Sequence, residues 1–235
     1  MKPLILVPVQ SHIEPACEES LSRLERSGFT VRRVRGYAAI DQGRNQMATD
    51  ALLEGCEGTL WIDSDIGFQV EDVLRLLSHD LPIVCGIYPQ KGKRTLASHL
   101  LPGTKELVFG AGGGLVEILY AATGFLYVRR DVYLTIREQT PLPTCNTRFG
   151  RPTIPFFQPL VIPDNRPRRE DEGDDPSATW YLAEDFAFCE RARRCGYHIM
   201  ADTKIRLRHY GGYGYSWEDA GQDMPRFANY HFHVA

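Results

Sequence analysis

Thr59-Leu60-Trp61-Ile62-Asp63-Ser64-Asp65 is a short apolar run that ends in two carboxylates two positions apart. The run reads as a buried strand, and at that spacing both carboxylates can point to the same side of an extended chain. In an open α/β sheet, ligands collect in the crevice at the carboxyl ends of the strands. Two carboxylates there repel each other unless a cation sits between them. Hard oxygen ligands suit Mg²⁺ or Mn²⁺ bridged to phosphate oxygens. The competing interpretation is a solvated turn, since Asp and Ser are common turn formers, and the stretch alone balances the two.

Working outward, the flanks alternate strand and helix. Leu4–Val9 is a continuous apolar run, the pattern of a parallel strand covered on both faces. Cys17, Leu21 and Leu24 recur at helical spacing up to Gly28, and Phe29–Val34 reads as a second strand. A helix over 44–53 puts Met47, Ala48, Ala51 and Leu52 on one side. Downstream, Val70, Val73, Leu74 and Leu77 form an apolar helical stripe before a strand at Pro82–Ile87. This order predicts an α/β fold with a doubly wound, mostly parallel sheet. The second half is less regular. Strand-like Leu115–Ala121 and Phe125–Val128 precede a short helix at Val132–Arg137, a helix over 184–195 and a last strand over Ile199–Leu207. The almost wholly charged stretch Arg166–Asp175 reads as a mobile loop (164–178), and a glycine- and aromatic-rich tail follows His209. Residues 1–235 therefore read as one domain, with a front half of about 1–110 and an irregular rear half of about 111–235.

A chain of 235 residues with a net charge of −3 has no bulk basicity, which argues against a general nucleic-acid binder. An anionic substrate would have to be held locally, by a metal or a few arginines. No apolar run approaches the roughly 20 residues of a membrane-spanning helix. The six scattered cysteines contain no C-x-x-C, so reduced thiols in a cytoplasmic protein are expected.

Three further groups carry possible chemistry. Glu184 and Asp185 open a helix, where one acid can serve as a cap and the other, beside Trp180 and Tyr181, as a general base. His209 ends a strand-like segment, and an imidazole beside carboxylates favours Mn²⁺ over Mg²⁺. Asp41-Gln42-Gly43-Arg44-Asn45 enters a helix, where a guanidinium can clamp a diphosphate or simply lie on a solvated face. Lys91, Lys93 and Arg94 can approach phosphate or form an ordinary basic loop. Gly110–Gly114 lacks P-loop and dinucleotide spacing, and His12, His79, His99 and His198 show no partner pattern. His231 and His233 read as tail residues.

In this order the residues resemble nucleotide-sugar-dependent glycosyltransferases of the GT-A fold, over nearly the whole chain. The likeness is carried by Pro8-Val9 at the end of the first strand and by Gly43-Arg44-Asn45 opening a helix. It continues with Asp63-Ser64-Asp65 as the D-x-D, Ala122-Thr123-Gly124-Phe125, Glu184-Asp185-Phe186-Ala187-Phe188-Cys189 with Arg191, and His209. The resemblance implies a metal-dependent glycosyltransferase with Mn²⁺ (or Mg²⁺) held by Asp63, Asp65 and His209. It implies a nucleotide-sugar site with Pro8, Arg44, Asp63, Ser64, Asp65 and Gly124, and Asp185 as catalytic base in an inverting reaction assisted by Glu184. Trp180 and Tyr181 would meet the acceptor, a hydroxyl on a glycan, a lipid-linked glycan or a small molecule. A UDP-sugar is the first donor to consider and a GDP-sugar the second; the strand after Phe29 does not end in the acidic residue that often reads the base, which leaves Asp41 as the candidate for that role. A retaining transferase, a sugar-phosphate nucleotidyltransferase and an inactive nucleotide-binding protein are the alternatives. The nucleotidyltransferase ranks lower because Gln10-Ser11-His12 follows the first strand where a glycine-rich basic signature would stand.

Overall fold

A computed structural model describes residues 2–164 and 177–221. The segment read as a mobile loop, apart from its ends, and the last 14 residues, with His231 and His233, lie outside them. The elements are β1 (Leu4–Val9), α1 (Pro15–Arg26), β2 (Val31–Arg35), α2 (Ile40–Leu53), β3 (Gly58–Ile62), β4 (Ile66–Gly67), α3 (Val70–Ser78) and β5 (Ile83–Gly86). The rear half adds β6 (Leu115–Ile118), β7 (Phe125–Arg129), α4 (Arg130–Gln139), β8 (Leu160–Pro163), β9 (Thr179–Leu182), α5 (Glu184–Arg194), β10 (Ile199–Asp202), β11 (Arg208–Tyr210) and β12 (Gly214–Tyr215).

A seven-stranded sheet in the order β2-β1-β3-β7-β5-β10-β6 carries helices on both faces. Along β1 and β3 side chains alternate between two cores. Leu4, Leu6 and Trp61 face Met47 and Ala51 of α2, Tyr133 of α4 and Phe188 of α5. Ile5, Val7, Leu60 and Ile62 face Cys17 and Leu21 of α1 and Val73 and Leu76 of α3. Two covered faces explain why these strands read as unbroken apolar runs. Trp61 is wholly buried, and its Nε1 donates to Tyr133 Oη at 2.9 Å, which also lies 2.8 Å from Thr59 Oγ1. The buried indole nitrogen thus keeps a hydrogen-bond partner.

Three features differ from the sequence reading. The first is β7, which inserts antiparallel between β3 and β5, with Ile62 opposite Phe125 and Cys85 opposite Leu126. Because it runs backwards, its entrance, Gly124, lies at the carboxyl end of β3, where Asp63 N donates to Gly124 O at 3.1 Å. In α3 the buried residues are Val73 and Leu76, whereas Leu74 points outward. Two overlapping apolar registers run along this helix, and packing selects the one containing Leu76.

The expected last strand, in turn, stops at Asp202. Ile205 and Leu207 remain buried between exposed Lys204 and Arg206, so the alternation persists along extended chain that joins no ladder. The chain then enters a second sheet, β12-β11-β4. Asp202, fully buried, accepts from His79 Nε2 at 2.7 Å and from Lys204 N at 2.9 Å, with Arg75 Nε at 2.6 Å. His79, which showed no partner pattern in sequence, thus ties α3 to β10. Asp202→Ala is expected to cost about 3 kcal/mol by removing the acceptor that Arg75 and His79 share. Thermal unfolding would read this as a Tm roughly 6–12 °C lower for a chain of this size.

Candidate functional site

The acids singled out in the sequence gather where β1 and β3 end, β7 begins and α5 starts. Asp63 follows β3 directly. Its Oδ1 accepts from Arg44 Nη2 at 2.8 Å, and a Cβ on Gly124 would lie 2.9 Å from its Oδ2. Arg44 is not on a solvated face: its side chain is 4% exposed, lies over the Trp61 ring at 5.6 Å, and faces Glu184 Oε1 with Nε at 3.5 Å. That last contact is an ion pair without hydrogen-bond alignment, so Nε and Nη1 have no acceptor. Burial disfavours the guanidinium charge, but Asp63 and Glu184 outweigh it and raise its pKa. Arg44 is therefore a buried brace between the end of β3 and the start of α5, where the sequence had suggested a diphosphate clamp.

Asp65 is brought to His209 by the small second sheet. His209 pairs with Ile66, and Tyr210 N donates to Asp65 O at 2.8 Å. His209 Nδ1 lies 2.9 Å from the Pro89 carbonyl, which can only accept, so Nδ1 carries a proton and Nε2 is the nitrogen turned toward Asp65. Nε2 is 3.6 Å from Asp65 Oδ1, a buried oxygen with no hydrogen-bond partner. With a proton on Nε2 the two form an ion pair, and with none they are two acceptors whose gap a metal ion can fill. The other Asp65 oxygen accepts from Lys91 Nζ at 2.5 Å. Burial raises the Asp65 pKa, but a protonated His209 ring donating into that gap, together with the Lys91 ammonium, outweighs it and holds the carboxyl below its ordinary range. Asp63 turns toward Arg44, and among the described residues no three His, Cys, Asp or Glu side chains are already gathered to hold a metal.

Tyr88 is a contributor the sequence reading missed. It is buried, its Oη accepts from Gly124 N at 2.9 Å, and its ring meets His209 edge-on at 5.1 Å. Burial first, and Asp63 second, push its phenol well above the ordinary value, so it stays protonated. The available signal was its position just past the apolar run of β5, on the same sheet edge as Asp63.

Pro8 lines a cavity of about 240 Å³ with Val9, Gln10, Tyr37, Ala38, Ile40 and Gly43. Any Cβ at Gly43 would come within 2.9 Å of Tyr37 Cγ, so the glycine lets that ring lie on the first turn of α2. The result is a largely apolar slot with an aromatic wall at the end of β1.

Across from it, Asp185 is partly buried and its Oδ1 accepts from Phe186 N at 2.8 Å. Desolvation, then the neighbouring Glu184 charge, push its carboxyl up to about 7. Beside it, Trp180 and Phe186 pack with His99 and Tyr120, at ring separations of 4.7–5.6 Å. Tyr181, next along β9, points the other way and is 64% exposed, so strand alternation separates the two candidate acceptor residues. Ser64 lies between the two acids, and its backbone carbonyl accepts from Glu14 N at 2.8 Å. All six cysteines are free thiols, and no described helix is long and apolar enough to cross a membrane.

The chain matches no protein-family model and no curated protein sequence. Among solved structures it is similar to A197 from STIV, with a TM-score of 0.58 and 14% identity over 98% of this chain and 100% of that one. It also aligns with GalNAc-T7 bound to UDP, GalNAc and Mn²⁺, at a TM-score of 0.46 and 14% identity over 97% of this chain and 46% of that one. A UDP-glucose pyrophosphorylase complexed with UDP-glucose aligns at a TM-score of 0.45 and 10% identity over 88% and 93% of the two chains. At these identities the likeness concerns the fold, and that fold is a GT-A-type doubly wound α/β architecture.

Proposed function

We propose that this chain is a metal-dependent glycosyltransferase that moves a sugar from a nucleoside-diphosphate sugar to an acceptor hydroxyl with inversion. The observation that carries the proposal is the Arg44 brace. By bridging Asp63 and Glu184, it holds the carboxylate after β3 close to the acid pair opening α5.

In this reading the Pro8–Tyr37–Gly43 slot takes the base, UDP before GDP, and Asp63 and Ser64 meet the ribose and diphosphate side. An orphaned carboxylate oxygen on Asp65 and, in the neutral ring, Nε2 of His209 would suit Mn²⁺, or Mg²⁺ less well. Once bound, such an ion offsets the negative charge that grows on the leaving diphosphate. Asp65 and His209 hold that position, and the Pro89 carbonyl keeps His209 in the required tautomer. Asp63 contributes to the ion only through the bound nucleotide, a narrower part than its motif implies.

Asp185 supplies the base. Its carboxylate takes the proton of the acceptor hydroxyl while the hydroxyl oxygen bonds to the anomeric carbon. The bond from that carbon to the diphosphate breaks, and its electron pair leaves with the nucleoside diphosphate. Glu184, held by Arg44, orients donor or acceptor, and the Trp180 cluster offers a platform for an acceptor ring.

The test is release of nucleoside diphosphate from a panel of UDP- and GDP-sugars, with and without Mn²⁺. Mn²⁺-dependent release of UDP or GDP from one of them is expected. Pyrophosphate release from a nucleoside triphosphate and a sugar phosphate would replace transfer by nucleotidyl transfer. Binding without release would reduce the chain to a nucleotide-binding protein.

A further inference from the structure

Lys91 stands where a cation would be expected. Its ammonium is 2.5 Å from Asp65 Oδ2, on the same carboxylate whose Oδ1 faces His209 Nε2 without a partner. The residue belongs to the segment after β5 that already serves this site: Tyr88 supports Gly124, and the Pro89 carbonyl fixes the His209 ring. Its stem lies along the backbone of Gly211, where any Cβ would come within 3.2 Å of Lys91 Cδ. The side chain is 36% exposed and sits before a turn at Gly92, whose φ is +65°, so solvent reaches the ammonium on its four-carbon stem.

A divalent ion at Oδ1 and the ammonium at Oδ2 repel each other across one half-buried carboxylate, so each weakens the hold of the other. We infer that Lys91 is an exchangeable stand-in for the metal: it neutralises Asp65 in the metal-free protein and passes to the donor diphosphate when the ion enters. The inference rests on the donor site proposed above and adds to it a positioning residue that couples the two ligands. The ion alone enters against the Lys91 charge and binds weakly. With nucleotide present, the displaced ammonium gains an anionic partner, and the two ligands reinforce each other.

Calorimetry and Mn²⁺ electron paramagnetic resonance on the full chain test this without any turnover. Lys91→Met is expected to tighten Mn²⁺ binding about 10-fold or more in the absence of nucleotide. At saturating Mn²⁺ the same variant should bind UDP about 10-fold more weakly, while Lys91→Arg keeps both properties near wild type. Lys91→Gln, with circular dichroism on each variant, guards against a folding artefact. Unchanged or weaker Mn²⁺ binding in Lys91→Met would overturn the exchange. Tighter Mn²⁺ with unchanged UDP would overturn the transfer to diphosphate. Failure of wild type to bind Mn²⁺ or nucleotide at all would instead remove the donor site itself, and this proposal with it.

Discussion

Asp185→Asn is expected to lower the rate of sugar transfer by about 10²–10⁴-fold and, at pH 8, to make the protein more stable. Both effects have one cause. The Asp185 carboxyl is pushed up to about 7 by desolvation and the adjacent Glu184, against an ordinary value of 3.8. Between pH 4 and 7 the native state therefore holds a proton that the unfolded chain has released, and stability falls as pH rises through that window. Above pH 7 the penalty is complete, with an upper bound of about 4 kcal/mol for a shift of this size. Asparagine is neutral at every pH, keeps an oxygen to accept from Phe186 N, and escapes the penalty. Thermal melts should give coincident Tm values near pH 4 and a higher Tm for the variant at pH 8, by roughly 2–4 °C per kcal/mol recovered. Wild-type kcat/KM should rise toward pH 7 and level off, and that limb should be absent in the variant. Equal activity of the two proteins at pH 8 would remove Asp185 from the chemistry.

His209→Ala should weaken Mn²⁺ binding by on the order of 100-fold, the upper end of what losing an outer-shell partner costs. The ring also packs edge-on against Tyr88, so some loss of stability accompanies the change. His209→Gln keeps most of that packing and separates the two effects: it should melt near wild type and still bind Mn²⁺ poorly. If Mn²⁺ binds His209→Ala and wild type alike, His209 is a packing residue and the orphaned Asp65 oxygen requires another partner.

Much of this site was legible because its parts are local. An apolar run closing on Asp63-Ser64-Asp65 and an acid pair opening a helix are written in consecutive residues, and β1 begins and ends where its apolar run does. What was not legible depends on pairing across the chain. Nothing in Phe125–Val128 says that it enters antiparallel between β3 and β5, yet that insertion delivers Gly124 to Asp63. Arg44 read as a helix-start residue, because nineteen positions separate it from Asp63 and many more from Glu184. Ile205 and Leu207 read as strand because burial alternates there, whereas the hydrogen bonds that define a strand are absent. Lys91 was visible as a basic residue after a strand, but its partner, Asp65, belongs to a different strand end.

The central claim is that Asp65 and its neighbours form a metal-dependent nucleotide site. Titration of UDP and of GDP into the purified protein by calorimetry, with and without Mn²⁺, tests it most directly when wild type is compared with Asp65→Asn. One nucleotide, UDP first, should bind only when Mn²⁺ is present, and Asp65→Asn should abolish this binding while remaining folded. No binding of either nucleotide by folded wild type with Mn²⁺ present, or equal binding by wild type and variant, would contradict it.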